Sequence, residues 1–479
     1  MIDSRQRSVA LLVAGCFFME NLDGTIVTTA APRIGRALHV PSTSVGLVIA
    51  AYLVTLAVFI PLSGWLAARW GARPVFLTAI LLFTASSLAC ALSSTFAALV
   101  VFRVLQGAGG AMMVPVGRLV VLARTAKSDV LRVMSLLVWP ALVAPVIAPL
   151  AGGLITTYAS WRWLFLINVP LGVVALAVAA RLIESGRHDS PPPLDLVGVV
   201  LTCTGLGCFT YTAYLLSESE LSWGAVIGFG VASLVLVTAA VAHLRRTAHP
   251  LVNLRTLQVP TFRAALGSGS LFWTAVVAVP FLLTLLFQDV FGWSPVKSGA
   301  VVLFVFVGNV TIKPATTPLL RRFGFRPILV AATVGAAATM VVAGLFTAAT
   351  PIVVIAAVCL LSGAGRSTGL TCYSTIAFSD TPPDQIRDAN TLQATAQQLS
   401  VGLGVPLGAV ALRAGEPLGH LLPGADTAGS AYTVAFLILA VMSLMAALAA
   451  LRLHPDAGSA VTRRPNAEPA SVAGGAGSP

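Results

Sequence analysis

Six ionisable side chains stand inside long apolar runs of this 479-residue chain: Glu20, Asp23, Arg103, Arg118, Lys313 and Arg366. A charge at the centre of hydrocarbon costs about 2.5–3.5 kcal/mol on insertion scales, so such groups usually face a protein interior and mark a pathway. Glu20 and Asp23 are three residues apart and would share one face of a helix. Two carboxylates that close repel in a low dielectric, which favours a proton on one of them, and a neighbouring guanidinium opposes this. That competition is the chemistry of a proton-exchange site. Asp23 and Arg103 fall at similar depths, about 10–12 Å from the ends of their segments at 1.5 Å per residue, so they are expected to meet. An ion pair that only fixes helix packing would leave the same trace in the sequence.

Lys313 and Arg366, if they face inward, oppose the acids and could hold an anionic group. The other reading is snorkelling to the interface, which is also the expectation for Arg118. Gln106, Asn309, Gln393 and Gln397 are polar groups suited to lining a substrate cavity or to bonding between helices. Gln393 and Gln397 share a face by their spacing. Tyr52, Trp139, Phe272 and Phe281 are candidates for an aromatic wall.

The elements that must hold these groups follow from composition. The chain is 57% hydrophobic and only 10% charged, with a mean hydropathy of +0.91. A soluble domain carries about 25% charged residues. Apolar segments of spanning length recur at 8–30, 43–66, 74–93, 96–122, 131–158, 164–183, 197–216, 223–244, 264–287, 295–319, 327–348, 352–376, 389–412 and 430–451. Each is near the ~20 residues that cross ~30 Å of hydrocarbon as a helix. The first is too long, and too acidic, for a cleaved signal peptide, and is expected to be a retained helix. The sequence therefore predicts an all-α membrane protein with fourteen transmembrane helices.

Lys and Arg set the orientation. With the N-terminus inside, 20 of them fall on the cytoplasmic side and five outside, which predicts that both termini are cytoplasmic. The same placement accounts for the net charge of +12 without a nucleic-acid partner. All six cysteines lie in apolar segments, so neither a disulfide framework nor a metal site is expected. No nucleophile with a base, and no metal cluster, argues for an enzyme.

An internal echo divides the chain. Residues 66–74 read Leu-Ala-Ala-Arg-Trp-Gly-Ala-Arg-Pro, and residues 319–327 read Leu-Leu-Arg-Arg-Phe-Gly-Phe-Arg-Pro. Matching the second segment to the tenth predicts a six-helix bundle over 1–183, two inserted helices over 184–250, and a second six-helix bundle over 251–452. A disordered cytoplasmic tail is expected over 453–479. Parallel six-helix halves with a central site are a known transporter plan.

Four stretches carry a family resemblance. Leu22-Asp-Gly-Thr-Ile-Val-Thr-Thr-Ala-Ala-Pro32 resembles the motif L-D-x-T-I-V-N-x-A-L-P. Gly64-Trp-Leu-Ala-Ala-Arg-Trp-Gly-Ala-Arg73 resembles G-x-L-A-D-R-x-G-R-R. Arg103-Val-Leu-Gln-Gly-Ala-Gly-Gly-Ala111 resembles R-x-x-Q-G-x-G-x-A. Residues 161–172, Trp-Arg-Trp-Leu-Phe-Leu-Ile-Asn-Val-Pro-Leu-Gly, resemble W-R-W-x-F-x-I-N-x-P-x-G. Together they resemble the fourteen-helix drug:proton antiporter branch of the major facilitator superfamily, of the EmrB/QacA type, nearest in look to its MdtD-type permeases.

The resemblance implies export of lipophilic, often cationic drugs in exchange for protons, with Asp23 and Arg103 in the coupling. It assigns conformational roles to Gly64, Arg69, Gly71 and Arg73. The helix-5 antiporter motif would fall on Pro145, Pro149, Gly152 and Gly153, though this chain has Ala144 and Ala148 where glycine is usual. Ala68 replaces the loop motif's acid, which is held in the family to lock one conformation. The implied partners are a small-molecule substrate, protons and the bilayer of a bacterial inner or plasma membrane. The protein is expected to be a monomer with no cofactor beyond the proton gradient. Export of organic acids or metal-chelating metabolites is the alternative that Lys313 and Arg366 suggest. A transport-inactive sensor or scaffold is the alternative that Ala68 suggests.

Overall fold

The computed structural model describes residues 4–40, 45–123, 125, 129–184, 193–217, 221–419, 427–455 and 457–458. Among them there are helices and no strands. In chain order the α-helices are α1 Ser4–Ile26, α2 Ala31–Ala37, α3 Gly46–Trp70, α4 Ala72–Leu92, α5 Phe96–Leu122, α6 Val130–Tyr158, α7 Trp163–Leu166, α8 Asn168–Leu182, α9 Leu196–Ser217, α10 Trp223–Arg246, α11 Pro260–Leu285, α12 Pro295–Thr311, α13 Lys313–Phe323, α14 Phe325–Gly344, α15 Ile352–Ser379, α16 Ile386–Gly419 and α17 Thr427–Leu451.

Helices are what an apolar chain must form in lipid, where each backbone polar group needs an internal partner. Their outer faces stay apolar: Leu196, Val200 and Leu234 are each at least 60% exposed. Twelve described spans are long and apolar enough to cross a membrane, and α7 with α8 forms one of them. The bent pair α12–α13 makes a thirteenth if it is one span. The fifth predicted segment forms the 29-residue helix α6. Several α6 side chains, including those of Trp139, Pro145, Pro149 and Gly153, lie outside the described residues. So does most of the expected tail.

The tenth predicted segment is broken. α12 and α13 meet at Ile312 with a bend of 48°, and Pro314 stands in the first turn of α13. Its ring removes a backbone donor and crowds the preceding turn. The first segment also stops early: after Ile26 the chain tightens into a 3₁₀ turn, Val27–Ala30, before α2.

The echoed loops have a shared backbone cause. Gly71 (φ 91°) and Gly324 (φ 79°) both take positive φ, where a side chain is penalised and glycine is not. Each reverses the chain between consecutive helices, α3 to α4 and α13 to α14. Helix pairing repeats as well. In the first half α1 packs on α6, while α3 and α4 pack on α5. In the second half α11 packs on α16, while α12 and α14 pack on α15.

Between the halves, α9 and α10 pack on each other, and α9 also touches α3 and α16. Asp195 ties this hairpin to the chain that follows. Its Oδ1 accepts from Gly198 N at 2.8 Å and lies 2.7 Å from His243 Nε2, and its Oδ2 accepts from Leu251 N at 3.2 Å. Burial pushes the Asp195 carboxyl up, but these donors outweigh burial and hold it below its ordinary value.

Candidate functional site

Arg103 and Gln106 are one turn apart on α5, and both are fully buried. They meet Asp23 of α1, which is also fully buried. Arg103 Nη1 donates to Asp23 Oδ2 at 2.5 Å and to Gln106 Oε1 at 2.8 Å. Gln106 Nε2 donates to Asp23 Oδ1 at 2.9 Å and to Ser87 Oγ at 2.7 Å. Asn168, at the start of α8, donates from Nδ2 to Asp23 Oδ1 at 2.7 Å. Arg103 Nε reaches Val48 O at 3.3 Å, and its guanidinium lies 4.1 Å from the Tyr52 ring centroid. The cluster draws on α1, α3, α4, α5 and α8. It is a closed ion pair whose carboxylate is bonded on both oxygens.

A second centre lies where the two halves meet. A cavity of about 380 Å³ is lined from α1 by Phe17, Glu20, Asn21 and Thr25, and from α5 by Gly110, Val114, Pro115 and Arg118. The second half contributes Trp273, Phe281, Phe306, Arg366, Gln397 and Gln398, among others. Its ionisable lining groups are Glu20, Arg118 and Arg366. Glu20 is 9% exposed, and its Oε2 has no hydrogen-bond partner. Arg118 is 4% exposed; it donates from Nη2 to Gln397 Oε1 at 3.0 Å, and its Nε and Nη1 are unpartnered.

The cavity is closed on the side that carries the start of α1. Asn390 Nδ2 of α16 donates to Pro115 O of α5 at 2.7 Å. One residue on, Thr391 presses on α3: a Cβ added to Gly64 would collide with Thr391 Oγ1. With the Arg118–Gln397 bond, these contacts form an uncharged or singly charged floor. Ala68, buried one turn beyond Gly64, contributes no charge to it.

The structure redistributes the expected cavity residues. Gln397, Arg366 and Glu20 line the cavity. Gln106 does not: it is a structural arm of the Asp23 cluster. Asn309 and Gln393 are buried away from this lining. The cavity stripe on α16 runs Ala394, Gln397, Gln398, Val401, Val405. At about 100° per residue, Gln393 points well to one side of it. Lys313 neither lines the cavity nor reaches an interface: it is 7% exposed, and its Nζ donates to Thr371 Oγ1 at 2.5 Å. Asp23 sits behind the wall rather than in it, because Phe17, Glu20, Asn21 and Thr25 define the cavity face of α1 and Asp23 lies on the other flank of Glu20.

Arg118 corrects the snorkelling expectation, since it is buried and bonded across the two halves. The signal for it was the i, i+4 series Gly110, Val114, Arg118 on α5. Trp273 and Phe306 carried no signal that separates them from ordinary lipid-facing aromatics. Phe281 lines the cavity; Tyr52 instead packs under Arg103, and Phe272 lies 5.9 Å from Tyr373, ring to ring. Of the motif residues, Arg69 is exposed, Arg73 Nη2 donates to Ala180 O at 2.8 Å, and Gly152 is buried on α6.

Residues 13–406 match the model of the Major Facilitator Superfamily. The chain is 33% identical over 457 residues to the "Putative multidrug resistance protein MdtD" of Klebsiella pneumoniae subsp. pneumoniae, covering 95% of this chain and 96% of that protein. It is 35% identical over 450 residues to the protein of the same name from Cronobacter sakazakii, covering 92% of each. Among solved structures, the human organic anion transporter MFSD10 superposes with a TM-score of 0.65 at 14% identity, over 94% of this chain and 100% of that one. The proton:xylose symporter XylE superposes with a TM-score of 0.63 at 15% identity, over 94% and 95%.

Proposed function

Because the chain belongs to the major facilitator superfamily, we propose that this multi-pass membrane transporter exports small lipophilic compounds in exchange for protons, with Glu20 as the group that gives and takes the proton. The observation that carries the reading is the position of Glu20: it stands in the wall of a cavity shared by both halves, with one carboxylate oxygen unpartnered. Ionised, it attracts a cationic group on the cargo. Protonated, it loses that attraction, so proton and cargo compete, and competition at one site is what exchange requires.

The groups that face Glu20 set this balance. Asp23 and Cys16 lie on its own helix, and Arg118 approaches from α5. Tyr52 approaches from α3, with Arg103 beyond it. Asp23 and Arg103 are a fixed counterweight in this scheme, since their ion pair is fully buried and both carboxylate oxygens of Asp23 are bonded. The names of the relatives, which refer to multidrug resistance, support drug-like cargo.

The twelve spans, the bent pair α12–α13 and α6 together make the fourteen crossings of the proposed topology. Both termini are then cytoplasmic, in a bacterial inner or plasma membrane. The floor at Asn390, Gly64 and Arg118 then closes the cytoplasmic side, and rocking of the two halves would open it. A proton gradient is the energy source, no cofactor takes part, and one copy of the chain suffices.

Flux across reconstituted vesicles tests the proposal. With an imposed pH gradient, wild-type protein is expected to accumulate a fluorescent lipophilic amine and release protons when it is added. Glu20→Gln should lose accumulation against a gradient and keep downhill exchange. Wild-type accumulation by Glu20→Gln would mean that the proton travels elsewhere.

A further inference from the structure

The second half brings an unpaired cation to the cavity. Among the described residues Arg366 makes no hydrogen bond or ion pair. Its Nε has no acceptor, and its guanidinium carbon lies 5.8 Å from the Phe306 ring centroid. The other charges near the cavity are placed differently. Asp23 and Arg103 neutralise each other behind the wall. Glu20 and Arg118 belong to the same half, but among the described residues no ion pair joins them: Arg118 bonds to Gln397, and Glu20 keeps an unpartnered oxygen. Lys313, deeper in the second half, is bonded to Thr371 and adds a further cation, not an anion. The cavity therefore carries one anionic group, Glu20, and two cationic ones, of which Arg366 alone makes no hydrogen bond among the described residues. A guanidinium so placed presents a planar fork of donors that matches a carboxylate.

We propose that the preferred substrate is an apolar-bodied zwitterion, whose carboxylate docks on Arg366 of the second half while its cationic group meets Glu20 of the first. The cationic half of this assignment rests on the proton-exchange reading of Glu20; the anionic half rests on Arg366 alone. Phe17, Trp273, Phe281 and Phe306 line the space between, which suits an aromatic body. The cavity volume of about 380 Å³ suits a single small molecule.

The two simpler cargoes each leave a charge unanswered. A plain amine satisfies Glu20 and leaves Arg366 without a counter-ion. A plain carboxylate binds best when Glu20 is protonated, so cargo and proton would travel together rather than in exchange. A zwitterion satisfies Arg366 and still competes with the proton at Glu20. It also bridges the two halves, so its binding couples to their relative motion.

The test uses three probes built on one aromatic body: an amine, a carboxylate and an amino-carboxylate. Equilibrium binding to the full chain in lipid nanodiscs is measured at fixed pH, with no gradient. Wild-type protein is expected to bind the amino-carboxylate about tenfold or more tighter than the amine, as one charge-assisted contact provides. Arg366→Gln should bring the amino-carboxylate down to the amine's affinity and leave the amine unchanged. Arg366→Lys keeps the charge without the fork and should fall between. An unchanged ratio in either variant, or equal loss for amine and amino-carboxylate, would overturn the assignment. Wild-type preference for the plain carboxylate over the amino-carboxylate would overturn it too. Because no gradient is used, a wild-type protein that fails to exchange protons for cargo would sink the reading of Glu20 while leaving the Arg366 preference measurable.

Discussion

Neutralising Asp23 would strip the counter-charge from Arg103 in a site that water does not reach. Removing one member of a buried ion pair typically costs about 3–5 kcal/mol, because the other charge is left stranded. Asp23→Asn is therefore expected to lower thermal stability in detergent as well as transport. Adding Arg103→Gln should return part of the lost stability, since the stranded charge goes with it, and a double-mutant cycle by thermal melting measures this. Glu20→Gln should behave differently: it removes a group with an unpartnered oxygen, so transport falls while the melting temperature holds or rises. The two acids look equivalent in the sequence, three residues apart on one helix. The structure separates them: Glu20 lines the cavity, while Asp23, about 60° further round α1, faces Arg103 of α5 and Asn168 of α8.

At the scale of elements, closure of the cavity floor depends on how closely α3 and α16 approach. Gly64 leaves no room for a methyl group beside Thr391. Gly64→Ala is expected to hold the two halves apart on this side and to raise thiol labelling of a cysteine placed at Asn390. Gly64→Ala with Thr391→Ala removes the clashing hydroxyl and should bring labelling back toward wild type. The inserted hairpin has its own anchor. Asp195→Ala would leave the Leu251 and Gly198 donors unsatisfied, at a cost of about 1–3 kcal/mol each where buried. Since the Asp195 carboxyl is held below its ordinary value, its stabilisation is complete at neutral pH. It is lost only as pH falls through and below the usual carboxylate range. Thermal melting of wild type and Asp195→Ala should therefore differ at pH 7 and converge in strong acid.

For the whole molecule, the proposed fourteen crossings fix which loops share a side. Single cysteines at Arg322 and Arg452 should label only from the cytoplasmic face of sealed vesicles, and at Arg162 and Lys297 only from the outside. Ser222, between α9 and α10, should label from the outside; labelling from the inside would mean that the hairpin does not cross. The excess of Lys and Arg on one side is enough to carry this prediction.

Composition and hydropathy alone dictate a helical membrane protein, because backbone groups in lipid admit little else. The echoed loops around Gly71 and Gly324 reveal two related halves, since a positive-φ glycine leaves a mark in one dimension. The pairing of Asp23 with Arg103 could be anticipated from depth alone. The facing of side chains could not. Gln106 and Arg118 differ in role because of the rotation of α5 against its neighbours. Gln393 and Gln397 differ because Gln397 lines the cavity and meets Arg118 of α5, while Gln393 is buried outside that lining. Those orientations are set by packing between segments far apart in the chain, so which scarce charges meet the cavity is settled in three dimensions, and spacing along the chain shows only which of them share a helix face.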